Sequence, residues 1–255
     1  MKRCLLILII LVLFIAGTAS AANLDFSRLL LYYPCDEGTG DMLIDAAGRG
    51  FDATLSGDSF AWEAGVFGSA IRLQKANSEV KGDIIGSTGE TGEISIMCWV
   101  NMTAHTTYNG IVSIASPECE ASCCYRIMIN PAKNPFWNAG HHVDKSLADF
   151  AFELNKWYHY ALIADGVTDK IYVDGVFIGE QAEDFALPSL PEVTVYVGTG
   201  ETPSAWRIEN AAVDEVMVWD KALTEEEIGM VMAERLTAVD LNGKLAGTWG
   251  NLKVR

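Results

Sequence analysis

The chain has 255 residues, with 34 acidic against 18 basic side chains and a formal charge of −16. Half of it is hydrophobic, which excludes a disordered chain. The acidic excess repels nucleic acid phosphates and anionic lipid, and the length holds one large domain with a sizeable core.

Residues 1–21 carry the parts of a secretory signal peptide. Lys2 and Arg3 come first, then the apolar run Cys4 to Ala16, then the small residues Ala19-Ser20-Ala21. The run is short for a bilayer, so the expectation is an exported protein, secreted, periplasmic or at the cell surface, with no membrane span after cleavage. Cleavage takes Lys2 and Arg3 from the 18 basic residues, leaving 16 against 34 acidic ones and a formal charge of −18.

Strand signals dominate from residue 28 to residue 219. RLLLYYP, AIRLQ, ISIMCWVNM, GIVSIAS, YRIMINP, WYHYALIAD, KIYV, VFIGE, VTVYVG and AAVDEVMVW are short, β-branched and aromatic. Gly, Pro, Asn or Asp separates them, and no amphipathic helix intervenes, so the pattern predicts an antiparallel sandwich. Asp165-Gly166 and Asp174-Gly175 join three of these runs. An Asp-Gly turn needs positive φ at both positions, which explains Asp174 as a hairpin residue rather than a catalytic acid.

Cys98 alternates with Ile94, Ile96 and Val100 and reads as a core residue. Cys119, Cys123 and Cys124 lie close together in SPECEASCCY, where Cys119 with Cys123 or Cys124 would close a small disulfide loop. The first clear helix is LTEEEIGMVMAERL, where Thr224 and Glu227 form a capping box and Ile228, Val231 and Met232 form an apolar stripe. Beyond it, residues 236–255 read as a tail with a small hairpin around Asn242-Gly243.

Taken in order, these stretches resemble the laminin G-like jelly rolls of the concanavalin A-like lectin and glucanase superfamily. LLYYPCDEGTGD with IDAAGRGFDATLSG is similar to the family's opening, and GVFGSAIRLQ to its next strand. ISIMCWVNM, NKWYHYALIADG, KIYVDGVFIGE and AAVDEVMVWDKALTEEEI follow as later landmarks. The resemblance covers residues 22–235. It implies an all-β, two-sheet antiparallel jelly-roll sandwich of roughly six strands per sheet, with one short C-terminal helix and a hairpin tail. It also makes Trp99, Trp157, Tyr158 and Trp219 structural, and His159 a hydrogen-bonded sheet histidine.

The resemblance implies a structural calcium between the first loop and the penultimate strand. The matching positions are Asp45 with the backbone around Gly48 and Gly50, and Asp214, with Asp36 or Glu37 as a further ligand. This sequence departs from the family by Arg49 and Phe51, where Asn is common, and by Ala211 and Ala212 before Asp214. An alternative is that Arg49 replaces the cation by pairing with Asp45.

Glycoside hydrolysis needs two carboxylates facing one another, and acids two residues apart on a strand would share a face. In VDEVMVWD, Asp214 and Glu215 are adjacent, so the expectation is no enzyme. Trp62, Tyr108, Trp137 and Trp206 lie in or near predicted loops, and Trp137 and Trp206 are the candidates for stacking on a sugar ring. The expected function is a non-catalytic exported module that binds carbohydrate or glycoconjugate. The alternatives are a protein-binding adhesion or matrix domain, and a glucanase-type hydrolase.

Overall fold

The computed structural model describes residues 24–57, 60–74, 79–88, 92–115, 124–139, 144–182, 190–199 and 206–236. The first strands are β1 (Leu29–Tyr33), β2 (Met42–Leu43), β3 (Ala53–Ser56), β4 (Phe60–Ala64), β5 (Ser69–Leu73) and β6 (Glu79–Thr88). Then come β7 (Ile94–Met102), β8 (Asn109–Ala115), β9 (Cys124–Ile129), β10 (Pro135–Ala139) and β11 (Lys145–Ser146). The last are β12 (Trp157–Ala164), β13 (Thr168–Val173), β14 (Val176–Ala182), β15 (Leu190–Val197) and β16 (Ala211–Trp219), followed by helix α1 (Glu225–Ala233).

Two eight-stranded antiparallel sheets result. Sheet A runs β14-β13-β12-β7-β16-β5-β4, with β1 also on β16, and sheet B runs β11-β10-β9-β8-β15-β6-β3-β2. The expected sandwich forms, with more strands per sheet than the six anticipated. The strands outside the ten runs read in the sequence are β2, β3, β4, β6, β10 and β11, which are short, polar or opened by Pro. They depend on ladder hydrogen bonds to a neighbour more than on their own propensity.

Period-2 alternation decides what each strand buries. Ile96, Cys98 and Val100 of β7 and Tyr160 and Leu162 of β12 meet Ile127, Ile129, Trp137 and Val195 of sheet B in one core. Each such side chain contributes roughly 1.5–3 kcal/mol on burial. A second cluster lies on the other side of sheet A. There Tyr32, Met97, Ala161, Ile163, Met217 and Trp219 receive Ile228 and Val231 of α1, with Leu24 and Leu236 at its margins.

Helix α1 starts as the sequence indicates. The Thr224 side chain accepts from the Glu227 amide, and the Glu227 carboxylate accepts from the Thr224 amide at 2.9 Å. The β13–β14 turn is also as expected, with φ of 51° at Asp174 and 74° at Gly175. The Asp165-Gly166 connection differs. It is a longer loop between Ala164 and Thr168 in which Asp165 caps the Val167 and Thr168 amides at 3.0 and 2.7 Å, and only Gly166 is left-handed.

One irregularity positions the acids. Strand β16 breaks register with β7 between Asp214 and Met217, and Glu215 at that bulge has φ of 52°. The bulge lets β16 change partners along one edge: residues 211–213 pair with β5 and residues 216–219 with β1. No helix among the described residues is long and apolar enough to cross a membrane. The signal segment, the Asn242-Gly243 hairpin, Cys119, Cys123 and the Cys124 side chain lie outside the described residues.

Candidate functional site

On β9, Tyr125, Ile127 and Ile129 enter the core, so Arg126 and Met128 face the opposite way. On β10, Trp137 and Ala139 point inward, leaving Phe136 and Asn138 on the outer face of sheet B. The loops around Tyr108 and Trp206 border this outer face. Tyr108 packs on Phe136 at 5.0 Å between ring centroids and on Trp206 at 5.9 Å, and the Arg126 guanidinium lies 4.8 Å over the Trp206 ring. Trp206 holds a left-handed φ of 50°, fixed by its carbonyl accepting the Gly110 amide at 2.7 Å.

Polar groups sit beside this aromatic ledge. Arg126 forms an ion pair with Asp144, and the Asn138 amide nitrogen donates to the same carboxylate at 3.3 Å. Asn138 is buried, and its Oδ1 has no partner among the described residues. Nearby on β8, the Ser113 hydroxyl donates to the Thr199 carbonyl at 2.8 Å. Half-buried rings next to a fixed carboxylate, amide and guanidinium suit the apolar face and hydroxyls of a sugar.

The sequence-predicted residues divide. Trp206 lies on this ledge, and Tyr108 with it. Trp137 does not: it is fully buried on β10, with its indole donating to Asp169 at 2.9 Å. The Lys145 ammonium meets the same carboxylate at 2.8 Å, so Trp137 belongs to a buried polar group that ties β10 and β11 to β13. It offers no face to a ligand, because inward alternation places it in the core. Trp62 stands on β4 and donates to the Gly40 carbonyl at 3.1 Å. Arg126, Phe136, Asn138 and Asp144 went unnoticed in the sequence. The alternation of YRIMI and PFWNA could have shown their shared orientation, although only the strand pairing brings them together.

The acids form a separate assembly. Asp45 accepts the amides of Tyr32, Ala47, Arg49 and Phe51 at 3.2, 3.0, 3.1 and 3.3 Å. Gly48 and Gly50 turn this loop with φ of 73° and 81°. Asp214 instead accepts the Val66 and Phe67 amides at 2.8 and 3.2 Å, and Asp36 accepts the Ser69 amide at 2.8 Å. Asp36 and Asp214 therefore flank one turn, at Gly65–Ser69, and Asp45 organises another. Glu215, buried, accepts from the Tyr32 hydroxyl at 2.5 Å. Burial pushes the Asp214 carboxyl up to about 7 against the pull of its amides. Burial likewise pushes Glu215 up to about 8 against the Tyr32 hydrogen bond.

This arrangement does not match the calcium set that the resemblance implies. The Asp45 oxygens accept from amide donors, and among the described residues Asp45 shares no hydrogen-bond partner with Asp214. Among the described residues, no group of three or more His, Cys, Asp or Glu side chains stands ready to hold a metal ion. Arg49 does not pair its guanidinium with Asp45; it donates to the Leu29 and Ser27 carbonyls at 2.7 and 2.6 Å.

His159 departs from its expected role. Its ring packs edge-on to Trp99 at 5.4 Å, but Nδ1 is buried with no hydrogen-bond partner among the described residues, and burial lowers the ring pKa to about 4.

Comparison with known proteins gives a consistent picture. Residues 74–229 match the family model described as the concanavalin A-like lectin/glucanases superfamily. No curated protein sequence matches the chain. Among solved structures, domain 4 of AbnA, an extracellular arabinanase from Geobacillus stearothermophilus in complex with arabinotriose, aligns with a TM-score of 0.62 and 18% identity. That alignment covers 81% of this chain and 98% of that one. The binding domain of botulinum neurotoxin serotype D aligns with a TM-score of 0.62 and 15% identity, over 82% of this chain and 52% of that one. The binding domain of botulinum neurotoxin DC in complex with SialylT follows at 0.61 and 13%, over 82% and 52%. At these identities the likeness is one of fold.

Proposed function

This chain belongs to the concanavalin A-like lectin/glucanases superfamily, and from that premise we propose that it is an exported, non-catalytic module binding carbohydrate or glycoconjugate on the outer face of sheet B. The observation that carries the reading is the Phe136–Tyr108–Trp206 ledge beside Arg126, Asp144 and Asn138. The Asn138 amide nitrogen donates to Asp144 beside these rings, which fixes a polar group at the edge of the ledge. Among the structural neighbours, an arabinanase domain was solved with arabinotriose and a toxin binding domain with SialylT, which supports a saccharide as the ligand class.

The non-catalytic part of the reading rests on the carboxylate of this ledge. Asp144 is held by Arg126 and Asn138, whereas hydrolysis needs a protonated acid opposite a charged one.

A glycan array on the purified chain tests the proposal. The expected result is binding that falls more than about tenfold in Trp206→Ala, with a melting temperature lowered by only about 2–4 °C. Binding of no glycan, or full binding by the variant, refutes it. A protein ligand is the second reading, favoured by the exposed Val176 and Phe177 on edge strand β14, and a variant with both changed to Ser would then lose the partner.

A further inference from the structure

The acid cluster holds a cation of its own. Arg235 lies two residues past α1, and its guanidinium forms an ion pair with Asp36. The Arg235 side chain is exposed, but packing anchors the chain on both sides of it: Ile228 and Val231 seat the helix on sheet A, and Leu236 is buried in the same apolar cluster. The Arg235 charge also acts on the Tyr32 hydroxyl, which itself donates to Glu215 at 2.5 Å. One guanidinium thus pairs with Asp36 from the first loop, and its charge acts on Tyr32 of β1 and on Glu215 at the β16 bulge.

The cluster needs such a charge. Asp214 is fully buried and Glu215 is 3% exposed. Asp214 Oδ1 and Glu215 Oε1 are buried with no hydrogen-bond partner among the described residues, as is Glu37 Oε2. Buried carboxylate oxygens left unpaired are costly, and a nearby positive charge is the ordinary remedy. Arg49, the other candidate, is occupied by the Leu29 and Ser27 carbonyls. The position of the cluster, between the first loop and the penultimate strand, is where the resemblance places calcium.

We propose that Arg235 is the resident counter-ion of this cluster, taking the part a structural divalent cation would play and closing the first loop onto β16 without metal. The segment after α1 then acts as a clamp of the sandwich. The inference is independent of the sugar-binding reading, because the cluster lies at sheet A and the aromatic ledge at sheet B.

Thermal melting of the full chain in excess chelator and in saturating calcium is the test, for the wild type, Arg235→Met and Arg235→Lys. The wild type melts at the same temperature in both buffers. Arg235→Met melts about 4 °C lower in both buffers. Arg235→Lys keeps the charge, folds if the Met variant does not, and stays indifferent to calcium. A wild type stabilised by calcium overturns the proposal. So does an Arg235→Met chain that melts like the wild type, or a Lys variant that loses as much as the Met variant.

Discussion

Asp174 and His159 hold each other through the backbone. The Asp174 carboxylate accepts the His159 amide at 2.9 Å, and the Asp174 amide donates to the His159 carbonyl at the same distance. The turn residue of the β13–β14 hairpin thereby anchors its tip to β12. Replacing Asp174 by Ala removes the side-chain acceptor and forces a β-carbon residue without compensation into φ of 51°. The expected cost is about 1.5 kcal/mol, with about a third of that for Asp174→Asn, measured by denaturant unfolding. Glycan binding by both variants stays at the wild-type level.

Two tryptophans that look alike in sequence separate in a mutant pair. Trp137→Ala empties a core site and removes the indole donor from the Asp169 carboxylate that Lys145 also meets, at a cost of about 4 kcal/mol. Trp206→Ala removes a half-buried ring from the ledge, costs about 1 kcal/mol, and weakens saccharide binding by more than about tenfold. Equal loss of stability in the two variants would contradict this division.

The turn at residues 65–69 tolerates no side chain at either of its glycines, Gly65 and Gly68. A β-carbon at Gly65 would collide with the Asp214 carboxylate and lie 2.7 Å from the Ser69 carbonyl oxygen. One at Gly68 would collide with Asp36, at a backbone φ of +70°. Each Gly→Ala substitution is expected to destabilise by about 2–3 kcal/mol, read as a lower unfolding midpoint. Gly48→Ala, with nothing within 4 Å of the added carbon and φ of +73°, should cost only about 1 kcal/mol, from backbone strain alone.

His159 confers a pH dependence of known sign. Burial holds its ring at about 4, below the ordinary 6.5. As pH falls the unfolded chain takes up the proton first, so the contribution is whole above 6.5 and is lost between 6.5 and 4. The full loss is about 3 kcal/mol. Asp214 and Glu215, raised by burial to about 7 and about 8, act in the opposite sense, favouring the fold at low pH and ceasing to do so as pH rises through those values. The clean measurement is therefore the stability difference between the wild type and His159→Gln. That difference shrinks by about 3 kcal/mol from pH 7 to pH 4, and a flat difference would show that the ring titrates as it does in water.

Local physics was legible in the chain. The alternation in ISIMCWVNM and WYHYALIAD defined two-sided strands, Asp174-Gly175 required a tight hairpin, and Thr224 with Glu227 specified a helix start. All of these depend on near neighbours, and all are present in the fold. The strands that escaped notice, such as β6 and β10, lack strong propensity and owe their existence to the ladders on either side.

Tertiary structure alone decided the partners. Sequence marks Trp137 and Trp206 as large aromatics near turns, but pairing with β9 turns one into the core and places the other over Arg126. Sequence shows a surplus of acids, but only the docking of α1 brings Arg235 from the far end of the domain to Asp36. A strand's own residues set which side chains share a face. What that face meets depends on contacts between segments remote in the chain, and no local periodicity records them.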